Sequence, residues 1–317
     1  MSSRLAVAAS GGRDSTALLH AVARAARGSP VQVVALHVHH GLQSEGDQWL
    51  ERVREQCRRW AAGGLPLSFL AHRLDTSPAP GESVEAWARR ERYRALARMA
   101  RQVQARAVML AHHRTDQAET VLLQALRSAG AAGMAAMGSA REVEGVTFLR
   151  PWLDQPRSAI EAYVRRHRLA YVDDPSNADI RFARNRLRQE VWPALLGAFP
   201  HAEAALAGAA RRLHEADACA RDLAAQDARA CIGLYDRLRV KAWAALAPHR
   251  RANLLRAWLG PMLGAGVPDS LVRRLGEELA AARGGASWPA PGGVLRLRRG
   301  ELGWEAASRD GPPVSGG

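Results

Sequence analysis

Ser10-Gly11-Gly12-Arg13-Asp14-Ser15 gathers small and acidic residues in a pattern suited to binding an anion. An apolar run, Leu5-Ala6-Val7-Ala8-Ala9, precedes it, and an amphipathic stretch from Thr16 to Ala26 follows. This order reads as strand, tight loop and helix. Two glycines let the backbone approach a ligand closely, and free amides at a helix N-terminus favour a phosphate. Asp14 sits among those amides, within reach of a metal ion, a ribose or an amide group. An ordinary strand-to-helix turn uses the same residue types, so the string needs support from elsewhere. A kinase-type phosphate loop needs a Lys after its second Gly. The chain has one lysine, Lys241, far from any Gly-rich loop. The G-x-G-x-x-G dinucleotide fingerprint is also missing from this turn.

Three further groups could do chemistry. Residues 111–120 read A-H-H-R-T-D-Q-A-E-T, with His112 and His113 closing a predicted strand. Asp116 and Glu119 lie three apart on the predicted helix that follows, on one face near its N-terminus. Two acids there could hold Mg²⁺ or grip an ammonium group. A helix capped by Thr115, with acids in its first turn, would use the same residues. His37-Val38-His39-His40 closes the second strand. No acid or Cys partner has zinc-ligand spacing, and backbone contacts to an adenine beside His37 are the expectation. Arg89-Arg90-Glu91-Arg92-Tyr93 lies on a helix, where one guanidinium fork could reach nucleotide phosphates. Finally, Asp174-Pro175-Ser176-Asn177 leads into Arg181-Phe182-Ala183-Arg184-Asn185-Arg186-Leu187-Arg188. Four arginines in eight residues, with an aromatic and an Asn, suit RNA phosphates and bases. A solvated basic helix end is the alternative.

The elements that must position these groups alternate. Apolar strands at Val31–Val38, Leu67–Ala71 and Ala107–Ala111 are separated by helical stretches at 47–61, 83–101 and 115–126. Ser83 is the expected N-cap of the second of these. Such βα units predict a parallel sheet covered on both faces, with ligands at the carboxyl ends of its strands. Ser10, His37 and His112 fall at or just after those ends. Further helices are expected at 157–168, 183–196 and 202–229, with a domain boundary near residue 200. Residues 240–282 read as helices, 286–305 as short strands, and 308–317 as a disordered tail. The fold class is therefore α/β: a parallel-sheet domain over 1–200, then a smaller, mainly helical domain over 201–307.

Composition narrows the partners. The net charge is +14, an electrostatic footprint for a polyanion such as nucleic acid. GC-rich coding would explain the preference for Arg over Lys, but not the excess of bases over acids. No run of about 18 uncharged apolar residues predicts a membrane span. The first apolar segment runs into a Gly loop rather than a cleavage site, so no signal peptide is expected. Cys57, Cys219 and Cys231 form neither a disulfide framework nor a C-x-x-C pair. A cytoplasmic protein is the expectation.

Ser10 to Ser15 carries the S-G-G-x-D-S signature of the PP-loop ATP pyrophosphatases, with their Rossmann-like adenine nucleotide hydrolase fold. Together with H-V-H-H-G-L, R-R-E-R-Y-R-A-L, A-H-H-x-x-D-Q-A-E-T-V-L-L, R-P-W-L and R-F-A-R-N-R-L-R, it resembles the tRNA(Ile)-lysidine synthases over about residues 5–196. The stretch from Arg251 to Gly300 more loosely resembles that family's substrate-binding domain. The resemblance implies ATP as substrate, bound by Ser10, Gly11, Gly12, Arg13, Asp14, Ser15 and His37. It implies Mg²⁺ at Asp116, free lysine at Asp116 and Glu119, and a catalytic set of Asp14, Arg92, His112, Asp116 and Glu119. It implies isoleucine tRNA with a CAU anticodon as partner, on Arg181, Arg184, Asn185, Arg186 and Arg188. The reaction implied joins lysine to C2 of the wobble cytidine through an adenylated intermediate. A homodimer is compatible with it. Alternatives are a PP-loop tRNA thiolase, for which the chain offers no paired cysteines, and a non-catalytic tRNA-binding relative. The chain departs from the family pattern twice: Thr115 stands where the family usually has Asp, and Ser128 where its R-G-S-G has Gly.

Overall fold

In this computed structural model the described residues are 3–41, 45–79, 81, 83–264 and 266–306, with the backbone alone at 176 and 177. The expected tail at 308–317 and Leu42 of the histidine segment lie outside them. The chain forms two compact units, Met1–His214 and Glu215–Gly317.

The first unit begins with four βα units: β1 (Ser3–Ala8), α1 (Arg13–Ala25), β2 (Val31–His39), α2 (Gly46–Ala62), β3 (Leu67–Arg73), α3 (Val84–Gln102), β4 (Ala105–Met109) and α4 (Arg114–Ala125). A short α5 (Ala131–Met134), a hairpin of β5 (Ala140–Val143) and β6 (Val146–Leu149), and α6 (Arg157–His167) follow. The sheet order is β3-β2-β1-β4-β6-β5. All neighbours are parallel except β5 and β6, which pair antiparallel at the edge. The expected parallel sheet is thus present, and the antiparallel hairpin is an addition to it. Ala6, Val34, Leu36, Val108 and Phe148 pack on α3 through Leu96 and Met99. Val7, Val33 and Ala35 pack against Leu18 and Leu19 of α1 and Val53 of α2. The central strands are buried on both faces, which is why β2 reads as a continuous apolar run.

The chain order leaves β1 in opposite directions, to β2 on one side and β4 on the other. This is the topological switch point where open α/β sheets bind ligands. The loops after β1 and β4 flank it.

A 3₁₀ turn at Pro175–Ala178, α7 (Ala183–Arg186), a π turn at Leu187–Val191 and α8 (Trp192–Ala198) lead to α9, which runs unbroken over Ala202–Cys231. The sequence placed a boundary near 200, before this helix; the compact units divide inside it.

The second unit adds β7 (Leu238–Arg239), α10 (Val240–Ala244), α11 (Pro248–Leu263), α12 (Asp269–Glu278), β8 (Ser287–Ala290), β9 (Gly293–Arg298) and β10 (Glu301–Ala306). Its four strands form an antiparallel sheet in the order β7-β10-β9-β8. Trp243, Leu254, Leu255, Leu259, Leu275, Leu295 and Leu302 make its core.

Candidate active site

The loop after β1 is braced from within. Ser10 Oγ lies 2.9 Å from Ser15 Oγ, Ser15 Oγ donates to Gly12 O (3.0 Å), and Thr16 Oγ1 donates to Gly11 O (3.2 Å). Gly11 has φ +89°, and a Cβ there would meet Val53 Cγ2 at 2.9 Å, so only glycine fits. The first helical bond of α1 runs from Thr16 N to Gly12 O. The amides of Arg13, Asp14 and Ser15 therefore stand outside the ladder, and among the described residues no side chain caps them. That is an anion site by construction.

The loop after β4 meets it. His113, only 2% exposed, sets Nε2 3.5 Å from Asp14 Oδ2 and 3.5 Å from Asp116 Oδ2. Arg13 Nε donates to Asp14 Oδ1 (3.0 Å) and its Nη1 to Glu161 Oε1 (2.8 Å). Burial raises the Asp14 pKa, but the bond from His113 and the Arg13 charge outweigh it and hold it at about 2. His112 is driven down to about 3, first by burial and then, against the pull of Asp116, by Arg92, Arg150 and Arg89. It is neutral at physiological pH. His37 is 5% exposed, and its Nδ1 donates to Ala9 O (2.7 Å), tying β2 to the loop. The sequence singled out His112; the structure places its neighbour His113 at the junction of the two loops. Nothing in an A-H-H pair distinguishes them before the cap is seen.

His113, not Thr115, is the N-cap residue of α4. Asp116 Oδ2 accepts from the His113 amide (3.0 Å), so this acid does cap the helix. Thr115 is buried and turned elsewhere: its Oγ1 donates to Glu203 Oε2 (3.1 Å), beside Arg114 Nε on Glu203 Oε1 (2.7 Å). An aspartate at 115 would face the Glu203 carboxylate. By contrast Ser83 caps α3 as the sequence led one to expect, accepting from Ala86 N.

The acid pair is filled by arginines. Arg188 Nε donates to Glu119 Oε1 (2.6 Å) and its Nη2 to Asp116 Oδ1 (2.9 Å). Arg184 Nε lies 3.3 Å from Glu119 Oε2, and its Nη2 donates to Thr120 Oγ1 (2.8 Å). Glu119 is fully buried. Of the residues expected on RNA, Arg184 and Arg188 thus sit on carboxylates. Asn185 is buried, with Nδ2 on Asp179 O (3.0 Å). Arg181, paired with Asp179, and Arg186 face solvent.

A cavity of about 680 Å³ opens over the switch point, a size typical of small-ligand sites. Ser10, Gly12, Asp14, His37, Arg92, His112, His113 and Arg188 line it. So do Arg157, Asp173 and Asp174, which the sequence had not marked for this role. Asp174 opens the D-P-S-N string and Asp173 precedes it, while Arg157 follows the R-P-W-L string. Asp116 and Glu119 lie behind Arg188 rather than in the wall. Mg²⁺ usually takes one or two carboxylates together with phosphates and water. Asp14, ionised and on the wall, fits that role. Asp116 does not fit while both of its oxygens are engaged. Among the described residues no cluster of three His, Cys, Asp or Glu could cage a metal.

Fold and loop together define a nucleotide-binding protein of the PP-loop class, and residues 1–195 match the family model described as the PP-loop domain. Residues 238–302 match the TilS substrate binding domain. Similar curated proteins include tRNA(Ile)-lysidine synthases from Ralstonia nicotianae (46% identical; 97% of this chain, 66% of that one), Pseudomonas aeruginosa (40%; 94% and 68%) and Bordetella bronchiseptica (41%; 94% and 88%). The chain belongs to the tRNA(Ile)-lysidine synthase family. It spans 66%, 61% and 61% of the length of the first relatives it matches. Among solved structures, a U34-tRNA thiolase from Methanococcus maripaludis superposes with a TM-score of 0.57 at 14% identity, over 67% of this chain and 72% of that one. This is a likeness of fold. Among the described residues no helix is long and apolar enough to cross a membrane.

Proposed function

We propose that the protein ligates free L-lysine to C2 of the wobble cytidine in the CAU anticodon of isoleucine tRNA, consuming ATP and acting in the cytoplasm. The observation that carries this is the meeting of two loops at the switch point. Free α1 amides and an ionised Asp14, held by His113 from the α4 loop, face one cavity in a chain of this family.

In the proposed reaction the cytidine C2 oxygen attacks the α-phosphorus of ATP and pyrophosphate leaves. The ε-amine of lysine then attacks C2. The ammonium gives up one proton to solvent before the attack, AMP departs with the former C2 oxygen, and the nitrogen releases a second proton to solvent. The amides of Arg13, Asp14 and Ser15 take the negative charge that develops on the departing phosphates. Bound Mg²⁺, held by Asp14 and the phosphates, would supply further charge neutralisation. Arg92 on the cavity wall contacts ATP or the adenylate, and neutral His112 lines the wall without adding charge. Asp116 and Glu119 receive the lysine ammonium in place of the Arg188 guanidinium. What supports this assignment is that Arg188, the cation on the pair, itself lines the cavity, so its displacement would open the acids to it.

Mass spectrometry of tRNA incubated with protein, ATP and labelled lysine tests the reading. The expected product carries the lysine label on the anticodon and forms with stoichiometric AMP. Asp14→Ala should abolish AMP formation while the protein stays folded, since the side chain borders the cavity. Wild-type AMP release by that variant would overturn the site assignment.

A further inference from the structure

Tyr93 of α3 is 5% exposed, yet three guanidinium groups stand around its ring. Arg89, Arg92 and Arg141 place Cζ 5.7, 5.9 and 5.7 Å from the ring centroid. A fourth, Arg150, is 4% exposed; its Nη2 donates to the Tyr93 hydroxyl (3.2 Å) and its Nη1 to Gly138 O (2.7 Å). Among the described residues the buried Nε of Arg150 has no hydrogen-bond partner. Among the described residues none of these four arginines ion-pairs with a carboxylate. Their neighbours on α3 do: Arg90 and Arg94 both pair with Glu91. Among the described residues adjacent arginines are thus neutralised and this set has no carboxylate partner.

A cation over an aromatic ring gains about 0.5–1 kcal/mol at an exposed site. One ring gives little against the mutual repulsion of four charges. An anion with several oxygens, gripped by guanidinium forks, removes that repulsion. The layout selects among anions. Arg92 lines the cavity, whereas Arg89 and Arg141 are exposed and do not. The set therefore runs from the cavity wall to the open surface. A triphosphate seated on the α1 amides does not need that outer part; a polynucleotide backbone does.

We infer that Arg89 and Arg141, continuing outward from Arg92 on the cavity wall, bind phosphodiesters of the substrate RNA beside the nucleotide that enters the cavity. The inference rests on the proposed function for its choice of RNA. Its ligand chemistry is separate from that of the ATP loop, and Arg89 and Arg141 are its own residues.

The test is tRNA binding by the full chain as a function of salt, for Arg89→Gln, Arg141→Gln and the pair. Arg94→Gln, on the same helix but paired with Glu91, is the control. Each replaced contact should lower the slope of log affinity against log salt by about 0.7–0.9, and Arg94→Gln should leave it unchanged. The KM for ATP should stay at the wild-type value while that for tRNA rises. An unchanged slope in the double variant overturns the inference. So does an equal drop in Arg94→Gln, which would mean diffuse surface charge, or a rise confined to the ATP KM. Because binding carries the test, failure to form lysidine overturns the proposed reaction alone. Lysidine formation with an unaltered slope in the variants overturns this inference alone.

Discussion

Glu119 shows what burial does to a charged residue. It has no exposed surface, and its two oxygens face Arg188 and Arg184. The capping alternative therefore applies to Asp116, which accepts the His113 amide, and not to Glu119. Glu119→Gln keeps the shape but removes the charge that holds two guanidinium groups. The expected loss is about 1–3 kcal/mol of stability, from charge-assisted bonds that become neutral ones, read as a lowered urea midpoint. If the pair receives lysine, the apparent KM for lysine should also rise tenfold or more, with tRNA affinity near normal. Unaltered lysine kinetics would place the lysine site elsewhere. Ser128 poses the opposite problem. It stands where the resemblance leads one to expect Gly, and its φ is +55°, the left-handed region that a side chain disfavours. Ser128→Gly should stabilise the protein by up to about 1 kcal/mol. A lower melting temperature in that variant would contradict this account.

The segment from Ala183 to Ala198 shows how an element decides what its side chains do. The sequence read one helix there; the structure interrupts it with a π turn at Leu187–Val191, a feature common at functional sites. Arg184 and Arg188 face the acids of α4, while Arg181 and Arg186 face solvent. Replacing Arg181 and Arg186 with Gln should reduce the salt slope of tRNA binding by about one unit per contact. The same changes at Arg184 and Arg188 should lower stability and leave the slope near wild type. The reverse pattern would show that the arginines leave the acids when RNA binds. This division was not legible in the sequence: the contacts join residues 69 and 72 positions apart. The βα units were legible because β1, β2 and β4 have buried apolar centres and each ends in a loop with its own chemistry. The β5–β6 hairpin was not. Its strands are four residues each and largely polar on β5, and its turn puts a non-glycine, Glu144, at positive φ beside Gly145. The anion loop and the acids of α4 were legible as residue types. That His113 joins them became visible only once β1 and β4 were adjacent.

On the scale of the whole molecule, an excess of fixed positive charge is combined with histidines kept neutral. The net charge of +14 is dominated by arginine, which does not titrate in the accessible range. His20, His40 and His112 add to it only on acidification. Burial is the largest cause of depression at each: His20, against Trp60 and Tyr163, lies at about 4, with the charges of His167 and Arg24 contributing. His40 lies at about 4, with Arg92 contributing, and His112 at about 3. In the unfolded chain each would titrate near 6.5. Between pH 6.5 and about 4 the unfolded state therefore binds more protons than the folded one, so stability falls as pH falls through that window. Above pH 6.5 both states are neutral at these sites, and their contribution is fully present. Asp14 acts in a lower window: its pKa of about 2, against 3.8, adds stability that is lost only as pH falls below about 4. The melting temperature should thus be nearly flat from pH 7 to 8 and decline from pH 6.5 to 4.5, well before carboxylates protonate. His20→Gln preserves a polar group that can meet the Tyr163 hydroxyl and cannot titrate, so its decline over that window should be shallower than wild type. Equal melting temperatures at pH 7 and pH 4.5 in the wild-type protein would mean that these histidines are solvated and free to charge in the folded state.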